Sequence, residues 1–153
     1  MEGGVYTLII RVNRRSEISI GRLGKVSFRP GYYLYTGSAL EGMAARLRRH
    51  LSQTKQLHWH IDYLLSSHNA KVSVVVQAPT KRNLECQVNQ RLDETFRTSI
   101  RVGKFGSSDC DSGCGSHLLF LGDRDLPGIV EGVRESYSSL DLVPVEHHEK
   151  AGR

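Results

Sequence analysis

Long apolar runs are missing from this chain, and none approaches the roughly 20 residues that a membrane-spanning helix requires. Missing as well are the basic start and small-residue cleavage site of a secretory signal, since "MEGGVYTLII" carries an acidic second residue and enters a strand-like run at once. Cysteine is scarce: Cys86, Cys110 and Cys114 are an odd set, too few for a disulfide framework. In a cytoplasmic chain, which is the expected setting, such residues are thiols, metal ligands or small buried side chains. No internal repeat appears and no linker divides the sequence. One domain over residues 1–140 is the expectation, with residues 141–153 as a flexible tail that lacks apolar anchors.

What is present is enough apolar residue for a core, 39% of 153 residues, and a formal charge of +5 with a pI near 9.3. That balance favours a polyanionic partner, nucleic acid ahead of an anionic membrane surface. The basic residues cluster in "ARLRRH", where Arg46, Arg48, Arg49 and His50 fall on one short segment.

Periodicity assigns an α+β chain. "VYTLIIRV", "EISIG" and "YYLYTGS" read as three strands of an antiparallel meander, with "RLGKVSFRPG" as the loop between the last two. Leu40, Met43, Ala44, Leu47 and Leu51 then recur at helical spacing, predicting a helix over residues 41–53. "LHWHIDYLLSSH" gives a second helix, "AKVSVVVQA" a strand, and Leu84, Val88 and Leu92 a third helix that Thr80 can cap. "SIRVGKFG" and "HLLFLG" read as short strands on either side of the Gly/Ser-rich "SSDCDSGCGSH". "LPGIVEGVRESYSSL" reads as a last helix weakened by Gly132.

On the first helix Arg46, Arg49, His50 and Gln53 share a face opposite Leu47 and Leu51. A guanidinium fork suits phosphate oxygens, although such a face is also an ordinary solvated surface. Tyr33 and Tyr35 point to one side of their strand and Tyr32 to the other. Glu85 and Asn89 lie off the apolar stripe of the third helix, where one carboxylate can hold a divalent cation or simply face solvent. Asp62, one turn after His58, can orient that imidazole. Trp59 either stacks on a base or packs. Cys110, Cys114 and His117 have a zinc-like spacing that offers three of the four ligands a structural site needs. The rival reading of that block is a substrate-contacting loop carrying Ser108.

"GVY" at Gly4, "YTG" at Tyr35, Arg46 in "ARLRRH" and the helical Glu85 together resemble, in order, the motifs of the GIY-YIG endonuclease superfamily. "HWHIDYLL", "LECQV" and "GKFGSSDCDSGCGSHLLF" resemble its small stand-alone branch, also found attached to endonuclease III-type glycosylases, and the likeness spans residues 4–120. The resemblance implies a small antiparallel sheet flanked by helices and a metal-dependent nuclease acting on DNA, or RNA, in repair. It implies catalytic roles for Tyr6, Tyr35, Arg46, His50 and Glu85, with Glu85 holding Mg²⁺ or Mn²⁺. Arg48, Arg49, His58, Trp59, His60 and Ser108 are then the expected nucleic-acid contacts. Two departures stand out: the family's later asparagine has no counterpart, and Thr36 replaces an aliphatic residue.

Phosphodiester hydrolysis asks the site to remove on the order of 20 kcal/mol of barrier, whereas one hydrogen bond to a charged group contributes about 1.5–3 kcal/mol. An arginine alone is insufficient, and a metal is needed. A phenol is a poor base at neutral pH unless a cation lowers its pKa, so the arginines are expected to make the tyrosines more acidic. Two other readings stand beside the nuclease. One is a nucleic-acid-binding module that keeps the fold without the chemistry, and the other is a zinc-stabilised interaction protein.

Overall fold

β1 (Gly4–Val12) is buried along almost its whole length, which is why its sequence runs apolar with little alternation. It is the middle of the molecule. β4 (Gly31–Ala39) pairs with it on one side, Gly4 opposite Ala39 through Val12 opposite Gly31, and β5 (Ala70–Pro79) pairs on the other. β7 (Leu118–Gly122) lies against β4, and the two-residue β6 (Ser99–Ile100) against β7. At the far edge β8 (Val145–His148) adds to β5. The result is a six-stranded sheet in the order β6-β7-β4-β1-β5-β8, every pairing antiparallel. This computed structural model describes residues 3–39, 42–52, 57, 59–100, 105 and 116–149.

The protein is thus an α+β fold, an antiparallel sheet flanked by helices. Strand alternation sends Tyr6, Leu8, Ile10, Tyr33 and Tyr35 to one face. There α1 (Met43–Leu51) and α2 (His60–Leu65) cover them. Val5, Ile9, Leu34, Val74 and Val76 go to the other face, under α3 (Glu85–Phe96) and α4 (Leu126–Ser138). Tyr32 packs on that second side, as alternation predicts.

The meander needs correction. "EISIG" does not join the main sheet: β2 (Ser16–Ser19) pairs with β3 (Lys25–Phe28), a segment read as loop, to form a separate ribbon. A 3₁₀ turn at Gly21–Leu23 joins the two, with Gly21 and Gly24 both at positive φ. β4 takes the place beside β1 because its nine residues match the nine of β1 in length and in apolar character on both faces. Thr80 does not cap α3. Its hydroxyl accepts from the Arg82 amide, and the helix begins at Glu85. The last helix forms through Gly132, started by Asp125, whose carboxylate accepts from the Gly128 amide.

The C-terminal stretch also departs from expectation. Apolar anchors are indeed few, but β8 is held by main-chain pairing to β5 and by the Arg134–Glu146 ion pair at 3.2 Å.

Candidate functional site

α1 follows β4 through a short connection and lays Met43, Leu47 and His50 on the tyrosine-bearing face of the sheet. His50 is therefore buried, 2% exposed, while Leu51 is 36% exposed. This reverses the expected face. A period of 3.6 groups residues 43, 47 and 50 as readily as 47 and 51, and burial of the phenols selects the former. His50 Nε2 lies 2.6 Å from the Tyr6 hydroxyl, and its ring meets the rings of Tyr6, Tyr35 and Trp59 at 5.3, 6.3 and 6.0 Å.

The two motif glycines make room for this arrangement. A Cβ on Gly4 would stand 2.2 Å from the Ala78 carbonyl oxygen of the neighbouring strand. A Cβ on Gly37, directly across from Tyr6, would stand 2.6 Å from the Tyr6 hydroxyl. Thr36, between Tyr35 and Gly37, faces the opposite layer, where its hydroxyl is 2.9 Å from that of Thr7.

Arg46 is half-buried and donates to the Ser38 carbonyl at 3.0 Å. Its charge opposes the effect of burial on Tyr6, Tyr35 and Glu85. Glu85 is the first residue of α3, and Ser38 donates to Asn83 just before that helix, tying its start to the end of β4. Tyr6, Tyr35, Arg46 and Glu85 thus share one electrostatic neighbourhood, though they come from four separate elements.

Burial decides the titration here. It pushes both phenols well above the ordinary tyrosine value, and the pull of Arg46 does not offset it. The expectation that the arginines make the tyrosines more acidic is therefore overturned. Desolvation also raises the Glu85 carboxyl, with Arg46 opposing. His117 and His60 are lowered by burial.

Arg49 does not present an open fork. It closes on Asp62 with two bonds of 2.7 and 2.8 Å, and Asp62, fully buried, also accepts the Trp59 amide. Asp62 therefore serves Arg49 and the start of α2. His58, which it was expected to orient, lies outside the described residues, as do Gln53, Ser108, Cys110 and Cys114. Trp59 is half-buried, with the Arg46 and Arg49 guanidinium carbons 4.4 and 4.2 Å from its ring centroid. Arg48 is exposed, and His60 lies 5.5 Å from the buried Phe105 ring.

His117, expected beside Cys110 and Cys114, has other neighbours. Just before β7, its Nδ1 is 3.5 Å from Glu85 Oε2 and its Nε2 is 3.5 Å from Cys86 Sγ. Among the described residues there is no group of three or more His, Cys, Asp or Glu placed to hold a metal. Asn89, one turn along from Glu85, is buried and donates to the Ser116 carbonyl at 2.8 Å, anchoring the approach to β7. Sequence reasoning missed Phe105 and the Glu85–His117 contact. Only the block "GKFGSSDCDSGCGSHLLF" hinted at either, and it carries no periodicity to say which residue turns inward.

Neither a curated protein nor a solved structure matches the chain. Residues 5–139 match the family model described as a domain of unknown function, DUF123. The match spans most of the 153 residues, and the chain belongs to the DUF123 family.

Proposed function

We propose that this protein is a divalent-metal-dependent endonuclease that hydrolyses phosphodiester bonds in DNA, with repair as its setting and the cytoplasm as its compartment. The observation that carries the reading is the shared electrostatic neighbourhood of Tyr6, Tyr35, Arg46 and Glu85. A guanidinium beside a carboxylate and two phenols is a set that binds a phosphate and handles a proton. The net charge of +5 favours the same polyanion.

In this reading a water bound to the Tyr6 oxygen loses its proton to that oxygen as the phenolic proton passes to His50 Nε2. The 2.6 Å contact makes the second transfer short. Because burial disfavours a standing phenolate, the relay avoids one: Tyr6 starts and ends neutral and His50 carries the proton. The new hydroxyl oxygen bonds to phosphorus as the bond to the leaving oxygen breaks. Arg46 donates to the phosphoryl oxygens as charge builds there. Tyr35 walls the site and excludes water. Glu85 fits a cation, being a partly exposed carboxylate beside a buried imidazole nitrogen. A cation bound there supplies Lewis-acid stabilisation of the leaving oxygen.

One observation favours the binding module without chemistry: both phenols are driven away from ionisation. Either reading predicts salt-sensitive DNA binding. Cleavage separates them. The test is a panel of duplex, branched, damaged and single-stranded DNA incubated with and without Mn²⁺, wild type beside Arg46→Ala and Glu85→Gln. A nuclease cuts at least one substrate only with metal, and both variants lose about 10²-fold or more in rate while still melting as folded proteins. Metal-independent binding without cutting by the wild type would leave the module.

A further inference from the structure

We infer that His117 is a second protein ligand, beside Glu85, for the divalent cation of the site, and that the site takes a transition-metal ion in preference to Mg²⁺. This rests on the nuclease reading and adds a residue to it. Three observations converge on the His117 ring.

The imidazole is 2% exposed, and its Nδ1 is buried with no hydrogen-bond partner among the described residues. The nearest anionic oxygen, Glu85 Oε2, stands 3.5 Å away without closing a hydrogen bond. Leaving such a nitrogen unmatched is costly, so its orientation wants a cause. The backbone supplies part of it: the His117 amide donates to the Phe105 carbonyl at 2.8 Å, and its carbonyl accepts from Thr36 at 3.3 Å. His117 is thus fixed at the edge of β4, its ring turned to the start of α3.

The second nitrogen explains the first. Nε2 lies within hydrogen-bonding distance of Cys86 Sγ, at 3.5 Å. With the proton on Nε2 and donated to sulfur, Nδ1 keeps its lone pair facing the Glu85 carboxylate. Metal-bound histidines are held in this way, the far N–H engaged and the near nitrogen presented.

The donor types then select the ion. Two donors 3.5 Å apart can both reach one cation at about 2.1 Å. Mg²⁺ prefers oxygen to imidazole nitrogen. A mixed nitrogen–oxygen pair suits a transition-metal ion, with water and phosphate oxygens completing the shell. His117 then serves the Glu85 site in place of a separate zinc cluster with Cys110 and Cys114.

Mn²⁺ alone is the probe, read by pulsed electron paramagnetic resonance and by calorimetry on the full chain. In the wild type, the echo from bound Mn²⁺ is expected to carry modulation from an imidazole nitrogen, responsive to ¹⁵N-histidine labelling and lost in Glu85→Gln. Mn²⁺ is expected to bind at least tenfold tighter than Mg²⁺, and His117→Gln to erase that margin by weakening Mn²⁺ tenfold or more. Because the wild-type echo reads the ligand directly, the outcome does not depend on how well His117→Gln folds. Bound Mn²⁺ without nitrogen modulation, or with modulation that survives in a folded His117→Gln, overturns the inference and leaves a nuclease with Glu85 alone. No Mn²⁺ bound, with or without a DNA duplex present, overturns both.

Discussion

Gly37 shows how much a single position can fix. The Tyr6 phenol occupies the space a side chain would take there, and its hydroxyl reaches His50 only because that space is left open. Gly37→Ala must push the ring aside. We expect a loss of about 1–3 kcal/mol in stability, measured by urea denaturation, and, on the nuclease reading, a fall in cleavage rate. The "GVY" and "YTG" motifs were legible in sequence as a resemblance, and the reason for their glycines was not, because it depends on which strand faces which. Glu85 makes a second prediction at this scale. Its carboxyl is raised above the ordinary 4.5 by desolvation, so on acidification it takes up a proton earlier than an exposed glutamate would. On the nuclease reading, Mn²⁺ binding should therefore weaken on acidification from a pH above 4.5, because proton and metal compete for the carboxylate, and Mn²⁺ affinity measured by calorimetry across pH would show it. His117 is lowered from 6.5, so its protons bind less readily in the folded state than in the unfolded chain. Stability then rises with pH between the folded value and 6.5, and is lost as pH drops through that window. The loss of stability on acidification below pH 6.5 should be shallower in His117→Gln than in wild type.

Among the elements, α1 and α2 are joined by the Arg49–Asp62 pair, whose two partners are not equivalent. Asp62 is fully buried, whereas the Arg49 side chain is 27% exposed. Removing the arginine strands a buried carboxylate, and removing the aspartate leaves a cation that can turn to water. Arg49→Ala should thus cost about 3–5 kcal/mol and Asp62→Ala less, despite the latter's loss at the start of α2. Chemical denaturation of the two variants would give the order. The sequence made α1 legible as a basic amphipathic helix, yet it assigned His50 to the outer face. Two overlapping stripes were available, and only the sheet beneath chooses between them. The same limit explains the ribbon of β2 and β3: alternation marked "EISIG" as a strand without saying whether its partner lay before or after it.

For the molecule as a whole, the sheet separates two layers, and on the side of α4 polar contacts tie helix to sheet. Tyr137 of α4 places its hydroxyl 2.8 Å from that of Thr7 and donates to the Val76 carbonyl at 3.3 Å, and Thr7 meets Thr36 across β1 and β4. Tyr137→Phe should lower stability by about 1–2 kcal/mol and, on the nuclease reading, leave the cleavage rate little changed, since that network lies on the face away from His50. Apart from β3 and the inner face of α1, helices, strands and their apolar faces were legible because burial writes itself into periodicity. The meeting of Glu85 with residues of the other layer was legible only through the family resemblance, because nothing local records which ends of the sheet and of α3 coincide. That meeting has a consequence. His50 and Arg46 belong to the layer on one side of the sheet, while Glu85 stands at the head of a helix from the layer on the other side. Neither half of the molecule brings these residues together by itself, so the set assembles only once both layers have packed on the sheet, and on the nuclease reading a chain caught midway through synthesis would lack it.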